Sequence, residues 1–257
     1  MHHTIDVALV APRYLAGGGD PAWITVPLHR ACGWSHGHDP LMPRVILSSP
    51  DQRTVLRLDP NPSWSWWKLR HAPVGEQRAW SVSFDARTPV EIIAGLTDAL
   101  TAPEPGPVSA PDPYEPLRQA GWRDAHDHDG LISPDGIARV EHVTDGAFSA
   151  SFVKTMVSED PDGPIWQAYF SRDTPAHLIA GFTRALADPS PLPRDPNRLR
   201  IPTNSRRHTR VTQARVPAID VAFALENRVR TLADRQPHHP APAPRTPNAP
   251  PPPRRIH

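Results

Sequence analysis

The stretch AWSVSFDARTPVEIIAGLTDALTAP, residues 79–103, decides the architecture, because it recurs as IWQAYFSRDTPAHLIAGFTRALADP at residues 165–189. Eleven of the 25 aligned positions are identical, where chance at average residue usage gives about one or two. Two shorter anchors precede these stretches in the same order: PLHRACGW at 27–34 with PLRQAGW at 116–122, and Ser-Pro-Asp at 49–51 and 133–135. The chain therefore contains a duplicated domain.

Each copy has the same predicted order of elements. Trp80, Val82 and Phe84 alternate with Ser81 and Ser83, a pattern typical of a strand with one buried and one solvated face. The Ser-Pro-Asp segment has the residues of a tight turn between two further strands. We predict an α+β protein of two related domains, each with a short helix, a four-stranded antiparallel sheet and a C-terminal helix. The two copies would then pack as a pseudo-dimer or share a sheet edge.

The start of the closing helix is visible in the first copy. Thr88 suits the N-cap, Pro89 the first helical position and Glu91 the third, which together predict a capping box. Gly95 and Gly181 lie at equivalent mid-helix positions, where glycine costs about 1 kcal/mol relative to alanine. We expect these glycines to mark a close approach of each helix to its sheet.

Composition bounds the class of protein. The 35 prolines among 257 residues exclude a single, uniformly packed globule. One cysteine excludes an intramolecular disulfide and a cysteine-based zinc site. No apolar run approaches 18 residues, so no membrane span is predicted. The first residues lack the layout of a secretory signal, and we expect a cytoplasmic protein.

The near-neutral net charge of +1 hides an asymmetry. From residue 190 onward the chain has 13 arginines, no lysine and four acidic residues, a net charge of +9, and the preceding part carries −8. A basic tail on an acidic body is typical of binding to nucleic acid or to an acidic partner. The alternative is a solubilising tail that folds back weakly onto its own body.

The tail divides into three parts. Its Pro/Arg-rich beginning and its proline-rich end are predicted to be disordered, and an apolar stripe between them predicts a helix that packs on the body or on another protein. That stripe consists of Ala218, Val221, Ala222, Leu225, Val229 and Leu232. The predicted boundaries are 1–105 (first repeat), 106–189 (second repeat), 190–216 (linker), 217–235 (tail helix) and 236–257 (disordered tail).

The motifs PRYLAGGGDP at 12–21, the Gly-Trp pair, Ser-Ser-Pro-Asp and FDARTPVEIIAGLTDAL at 84–100 together resemble the Domain of Unknown Function 317 family. That family is typical of Streptomyces and related actinobacteria and often occurs as tandem copies. The resemblance covers residues 10–103 and 114–189, although the second copy lacks the YLAGGG segment. It implies a domain layout and carries no activity, substrate or catalytic residue.

Two clusters are candidate binding residues. Trp64, Trp66 and Trp67 lie beside basic residues, as in surfaces that stack single-stranded nucleic acid, although core or inter-domain packing is favoured for them. The second cluster lies in the tail and comprises Arg206, Arg207, Arg210 and Arg215. Phosphate contact through these arginines predicts salt-sensitive binding.

A His-x-His-Asp sequence follows each Gly-Trp pair, at residues 36–39 and 126–129. Two imidazoles at positions i and i+2 of an extended segment face the same side and could share an ion. A closed four-ligand site is not evident, and a solvated loop is the favoured interpretation. We predict no catalytic residue and no cofactor.

These observations favour a non-enzymatic binding or scaffold protein that acts through protein–protein contacts. One alternative is nucleic-acid binding through the Arg-rich tail. A less favoured alternative is a metal-dependent enzyme that uses the His-x-His-Asp loops. A protein partner is expected and a membrane is not.

Overall fold

The computed structural model describes residues 3–37, 44–60, 65–75, 77–103, 112–126, 129–157 and 163–236. Within these residues the chain forms thirteen strands and five α-helices, which confirms the α+β class. None of the described helices is long and apolar enough to cross a membrane.

The two repeats have the same order of elements, and the flanking segments add three strands and a helix. Strand β1 (Thr4–Ala11) comes first. The first repeat contains α1 (Ala22–Arg30), β2 (Ser35–Gly37), β3 (Val45–Ser48), β4 (Thr54–Leu58), β5 (Trp67–His71), β6 (Trp80–Phe84) and α2 (Val90–Thr101). The second contains α3 (Glu115–Gln119), β7 (Arg123–Asp124), β8 (Gly130–Ile132), β9 (Ala138–Asp145), β10 (Phe148–Thr155), β11 (Trp166–Ser171) and α4 (Ala176–Ala187). Strands β12 (Leu192–Arg194) and β13 (Arg210–Pro217) and helix α5 (Ala218–Ala233) follow.

The strands of both repeats form one antiparallel sheet of ten strands, in the order β2-β3-β4-β5-β6-β11-β10-β9-β8-β7. This corrects the prediction of a four-stranded sheet in each domain: each repeat contributes five strands, and the two halves join edge to edge. The additional strands, β2 and β7, have three and two residues. They are too short to show an alternating hydrophobic pattern, which is why the sequence did not predict them.

The junction of the two halves is pseudo-symmetric. Strand β6 pairs with β11 so that Ser83 lies opposite Tyr169, and these two residues occupy equivalent positions of the repeat. On either side of this pair, Phe84 lies opposite Ala168 and Val82 lies opposite Phe170. Phe84 and Phe170 are equivalent in the repeat, as are Val82 and Ala168, so exchanging the two strands converts one pair into the other. A pseudo-twofold axis therefore passes between Ser83 and Tyr169.

Helices α2 and α4 cross at their equivalent glycines. A Cβ added to Gly95 would lie 2.4 Å from the carbonyl oxygen of Gly181 and 2.6 Å from the Cβ of Ala185. A Cβ added to Gly181 would lie 2.5 Å from the oxygen of Gly95 and 2.7 Å from the Cβ of Ala99. The prediction that the glycines bring each helix close to its sheet is therefore wrong, because they bring the two helices close to each other.

The core lies between the sheet and these helices. Trp67, Trp166, Phe84 and Phe170 are at most 1% exposed on the helix-facing side of the sheet. Phe182 of α4 contacts both phenylalanines, with ring centroids 5.6 Å from Phe84 and 5.1 Å from Phe170. One aromatic cluster thus joins residues of both repeats, and the two copies share a continuous core.

The first and last described segments form a second sheet, of three strands in the order β12-β1-β13. All eight residues of β13 pair with β1, from Arg210 opposite Ala11 to Pro217 opposite Thr4. The prediction of a disordered linker at residues 190–216 is therefore corrected. Its proline and arginine content suggested disorder, but its strand partner lies about 200 residues earlier in the chain. The predicted disordered tail lies outside the described residues from position 237 onward.

The predicted capping box at the start of α2 does not form. The N-cap residue is Pro89, which provides no side-chain hydrogen bond, and the buried Oγ1 of Thr88 has no partner among the described residues. Glu91 instead accepts two hydrogen bonds from Arg194 of β12, at 2.6 and 2.8 Å. A half-buried tertiary ion pair thus replaces the local cap.

Candidate functional site

The tryptophan cluster is largely part of the core. Trp67 is 1% exposed and faces the helices, and Trp66 is half-buried against the same core. Trp64 lies outside the described residues. Of the two described tryptophans of this cluster, only Trp66 has part of its ring in contact with solvent.

The four arginines of the tail occupy ordered structure. Arg206 and Arg207 belong to a 3-10 turn over residues 203–208, and Arg210 and Arg215 belong to β13. All four are exposed. The Nε of Arg215 lies 3.3 Å from an Asp6 carboxylate oxygen, whereas the other three form no ion pair within the described residues.

The two His-x-His-Asp loops are far apart. His36 lies in β2 and His126 follows β7, and these strands are the opposite edges of the ten-stranded sheet. Nine strand spacings separate the edges, roughly 40 Å, so the loops cannot combine into one site. No group of three possible metal ligands occurs among the described residues, and His38, Asp39 and His128 lie outside them.

The Ser-Pro-Asp turns are structural. The hydroxyl of Ser49 donates to Asp51 at 2.5 Å, and the hydroxyl of Ser133 donates to Asp135 at 2.6 Å. Each hydroxyl also accepts the backbone N–H five residues later, at 2.9 Å in both turns. Tyr14 donates to Asp135 at 2.5 Å, and its pKa is raised chiefly by burial. These serines are fully engaged within their turns and are not presented as nucleophiles.

A groove of about 1260 Å³ runs along the crossing of α2 and α4. Small residues including Gly95 and Gly181 line it, and six of its nine charged lining side chains are in ion pairs. Arg13 lies 2.6 Å from Asp188, and Arg228 lies 2.6 Å from Asp98. The groove therefore offers few unpaired charges to a ligand.

Helix α5 buries side chains against the body in its second half. In its second half Val229 and Leu232 are buried, and the guanidinium of Arg228 lies over Trp23, 5.3 Å from the ring centroid. In its first half the predicted apolar stripe is not covered, since Val221 and Ala222 are exposed. The helix therefore packs on the body over its last turns and projects from it over its first.

Exposed apolar side chains are frequent in β13 and in this projecting half. Seven large hydrophobic residues are exposed among the described residues, and four of them are Val211 near the start of β13 and Ile219, Val221 and Phe223 of α5, with exposed fractions of 38, 61, 46 and 51%. The remaining three are distributed over β4, β9 and β10. Strand β13 is also an edge strand that pairs with β1 alone. We call the free edge of β13 together with these four side chains the tail surface.

The sequence indicated an apolar helix in this region but missed the strand. Residues 210–217 contain no strong alternating pattern, and only pairing with β1 makes them a sheet edge. The anchoring residues Arg13 and Arg194 were also missed, because their partners lie more than 100 residues away.

The fold defines a class: a tandem α+β duplication whose copies share one sheet and one core. Two regions, residues 48–106 and 132–192, match the model of SPDY, described as a domain of unknown function (DUF317). The chain therefore contains two tandem regions that match the domain of this family. No curated protein and no solved structure matches the chain.

Proposed function

We propose that the protein is a non-enzymatic binding or scaffold protein that acts through protein–protein contacts at the tail surface. The observation that carries this proposal is the concentration of four of the seven exposed large hydrophobic side chains between residues 211 and 223. Single exposed apolar residues are ordinary on protein surfaces, whereas a cluster marks an interaction site.

The geometry supports strand addition as the mode of contact. The free edge of β13 offers main-chain donors and acceptors over eight residues, to which an extended partner segment can add. Ile219 and Phe223 are four residues apart on α5, so they lie on one side of the helix beside that edge. Backbone pairing would supply affinity and the apolar side chains would supply selectivity.

Substitution of Phe223 by Asp tests the proposal, and Phe148→Asp is its matched control because Phe148 is 47% exposed and belongs to the ten-stranded sheet. Tagged full-length protein is expressed in an actinobacterial host and recovered with whatever it binds. We expect a stoichiometric partner, either another protein or a second copy of this chain, with wild type and Phe148→Asp but not with Phe223→Asp. The absence of any stoichiometric partner, or equal capture by both variants, would contradict the proposal.

Nucleic-acid binding through the tail is the second candidate. Arg206, Arg207 and Arg210 favour it, because they are exposed and form no ion pair with any described residue. Truncation at residue 190 is an unsuitable test because it removes both strand partners of β1. The double substitution Arg206→Glu and Arg207→Glu keeps the sheet and reverses the charge. Under this candidate it must abolish binding to an oligonucleotide at low salt.

We also propose that the protein acts in the cytoplasm. The single cysteine supports this placement, since it excludes an intramolecular disulfide of the kind that many secreted proteins contain. Fractionation of native cells tests the location. Elemental analysis of the purified protein tests the metal-dependent alternative, which requires bound metal.

A further inference from the structure

The strands of the ten-stranded sheet present a second face, opposite the helices. Because side chains alternate along a strand, the neighbours of the buried Trp67, Phe84 and Phe170 point away from the core. We call this side the open sheet face. Its basic and aromatic side chains in the described strands are Arg57, Lys68, Arg70, Arg123, Arg139, Lys154, Phe148, Phe152 and Tyr169.

We propose that the open sheet face binds single-stranded nucleic acid, with phosphates on its basic side chains and bases stacked on Tyr169 and Phe152. This function goes beyond the protein contacts proposed above, and it uses a different surface. It also differs from binding through the Arg-rich tail, whose arginines lie on the 3-10 turn and on β13.

The charge of this face is opposite to that of the body. In the described strands it carries six basic side chains against two acidic ones, Glu141 and Asp145, a net charge of +4. Both lysines of the whole chain, Lys68 and Lys154, are among the six. The residues before 190 have a net charge of −8. Basic side chains are thus concentrated on one side of an acidic body, as expected for a surface that attracts a polyanion.

Several of these cations have no ion-pair partner among the residues that the structure describes. Lys68, Arg70 and Arg139 form no ion pair within the described residues, whereas Lys154 pairs with Glu141. Arg57 also has a partner, since its guanidinium lies 2.5 Å from a carboxylate oxygen of Asp59. Lys68, Arg70 and Arg139 are therefore cations that the described residues leave available to phosphate.

The aromatic residues lie at the centre of the face. Tyr169 of β11 lies beside Phe152 of β10, with ring centroids 5.5 Å apart, and the Nζ of Lys154 lies 5.4 Å from the centroid of Phe152. Ser83 faces Tyr169 across the strand junction and adds a hydrogen-bonding group. Half-exposed aromatic rings flanked by cations are the arrangement on which bases of a single strand stack.

The shape of the face favours a single strand over a duplex. Reading a duplex requires an element that enters a groove, whereas this surface is a row of side chains on a sheet. The strands that carry Lys68 and Lys154 are three strand spacings apart, roughly 14 Å. Tyr169 of β11 lies between them and Phe152 shares β10 with Lys154, so a single strand of nucleic acid that crosses the sheet meets a cation on either side of Tyr169.

Fluorescence anisotropy with labelled 20-nucleotide oligo(dT) and oligo(rU) tests the proposal on the full-length protein. We expect binding at 50 mM salt that weakens roughly 50-fold at 200 mM if about four phosphates are contacted. Lys68→Glu with Arg70→Glu should weaken binding at least tenfold. Tyr169→Leu, which keeps bulk and charge but removes the aromatic ring, should weaken it about fivefold or more.

The matched control is Arg206→Glu with Arg207→Glu, which makes the same charge change at the tail and should leave binding within twofold of wild type. Lys68→Gln with Arg70→Gln repeats the test if charge reversal disturbs folding, as judged by circular dichroism. Three results would overturn the proposal. The first is no binding by wild type at 50 mM salt, and the second is equal weakening of binding by the control. The third is binding of duplex DNA and heparin as tight as that of the oligonucleotides, together with no effect of Tyr169→Leu. Phe223→Asp should leave oligonucleotide binding unchanged, so the two proposals fail independently.

Discussion

At the centre of the sheet the two repeats use equivalent residues for equivalent contacts, whereas at their outer flanks they differ. Across the junction, Asp85 accepts the backbone N–H of Gln167 at 2.9 Å, and at the equivalent position Ser171 accepts that of Ser81 at 2.9 Å. Burial raises the pKa of Asp85, and the hydrogen bond from Gln167 opposes that shift. The two side chains differ, but each accepts a hydrogen bond from the backbone of the other repeat.

At the flanks each repeat meets a different part of the chain. Glu91 at the start of α2 binds Arg194, while His177 occupies the corresponding position of α4. Asp135 accepts a hydrogen bond from Tyr14, and helix α5 packs on α1. The comparison shows that contacts between the repeats constrain both copies alike, and that the flanking segments hold each copy with its own residues.

The largest effect is expected at the crossing of α2 and α4, where substitutions test whether the contact between the repeats constrains both copies equally. Gly95→Ala and Gly181→Ala should each destabilise the protein by about 3 kcal/mol, because the new Cβ meets a backbone carbonyl in either helix. Chemical unfolding measures the free energy of unfolding of each variant. The control is Gly37→Ala in β2, where the nearest atoms to an added Cβ are 3.4 Å away. A large difference in unfolding free energy between the two helix variants would contradict an equal constraint on the two copies.

The first flanking contact to test is that of Arg13. It donates to the carbonyl oxygen of Ala185 at 2.9 Å, to that of Ser190 at 3.2 Å and to Asp188 at 2.6 Å, and its side chain is 9% exposed. Arg13→Met should cost about 2 kcal/mol of unfolding free energy, since several charge-assisted hydrogen bonds are lost. Arg118→Met is the control, because the half-exposed Arg118 has Asp112 as its single ion-pair partner among the described residues. Equal losses would show that Arg13 is an ordinary surface residue.

Local sequence patterns predicted many of the strands and helices in the repeats but few of those in the flanking segments. The alternation of Trp80 to Phe84 and the Ser-Pro-Asp turns indicated strands that the structure contains. The capping box failed because Glu91 has a distant partner. Strands β1, β12 and β13 were missed because sheet pairing between the two ends of a chain leaves no periodic signal in either. The tail surface could not be predicted for the same reason, although its apolar helix could.

The Ser-Pro-Asp turns allow a finer comparison. Ser49→Ala should cost about 1 kcal/mol, through the loss of the hydrogen bonds to Asp51 and to the backbone. Ser133→Ala should cost about 2 kcal/mol, because Asp135 also holds the buried hydroxyl of Tyr14. Urea unfolding of both variants measures the difference. Equal losses would mean that Tyr14 adds nothing to the second turn.

The smallest expected effect is a dependence of the protein's stability on acid pH that arises from Asp188. Burial alone would raise the pKa of this carboxyl, but hydrogen bonds from Ser190 and the charge of Arg13 outweigh it, and the pKa is lowered. A carboxylate whose pKa is lowered by folding contributes stability that is present above its unfolded pKa of about 3.9 and is lost as the pH falls through the folded value. Asp188→Asn should therefore destabilise the protein at pH 7 and much less at pH 3.

Asp195→Asn is the control for this measurement. Its carboxylate is 49% exposed against 42% for Asp188, but its partner Arg198 is 89% exposed, whereas Arg13 is 9% exposed. Since an ion pair in solvent contributes little, Asp195→Asn should have a smaller effect at pH 7 than Asp188→Asn. If the free energy of unfolding of both variants changes with pH as that of wild type does between pH 7 and pH 3, the ion pair of Arg13 with Asp188 contributes no more to stability than an ion pair on the surface.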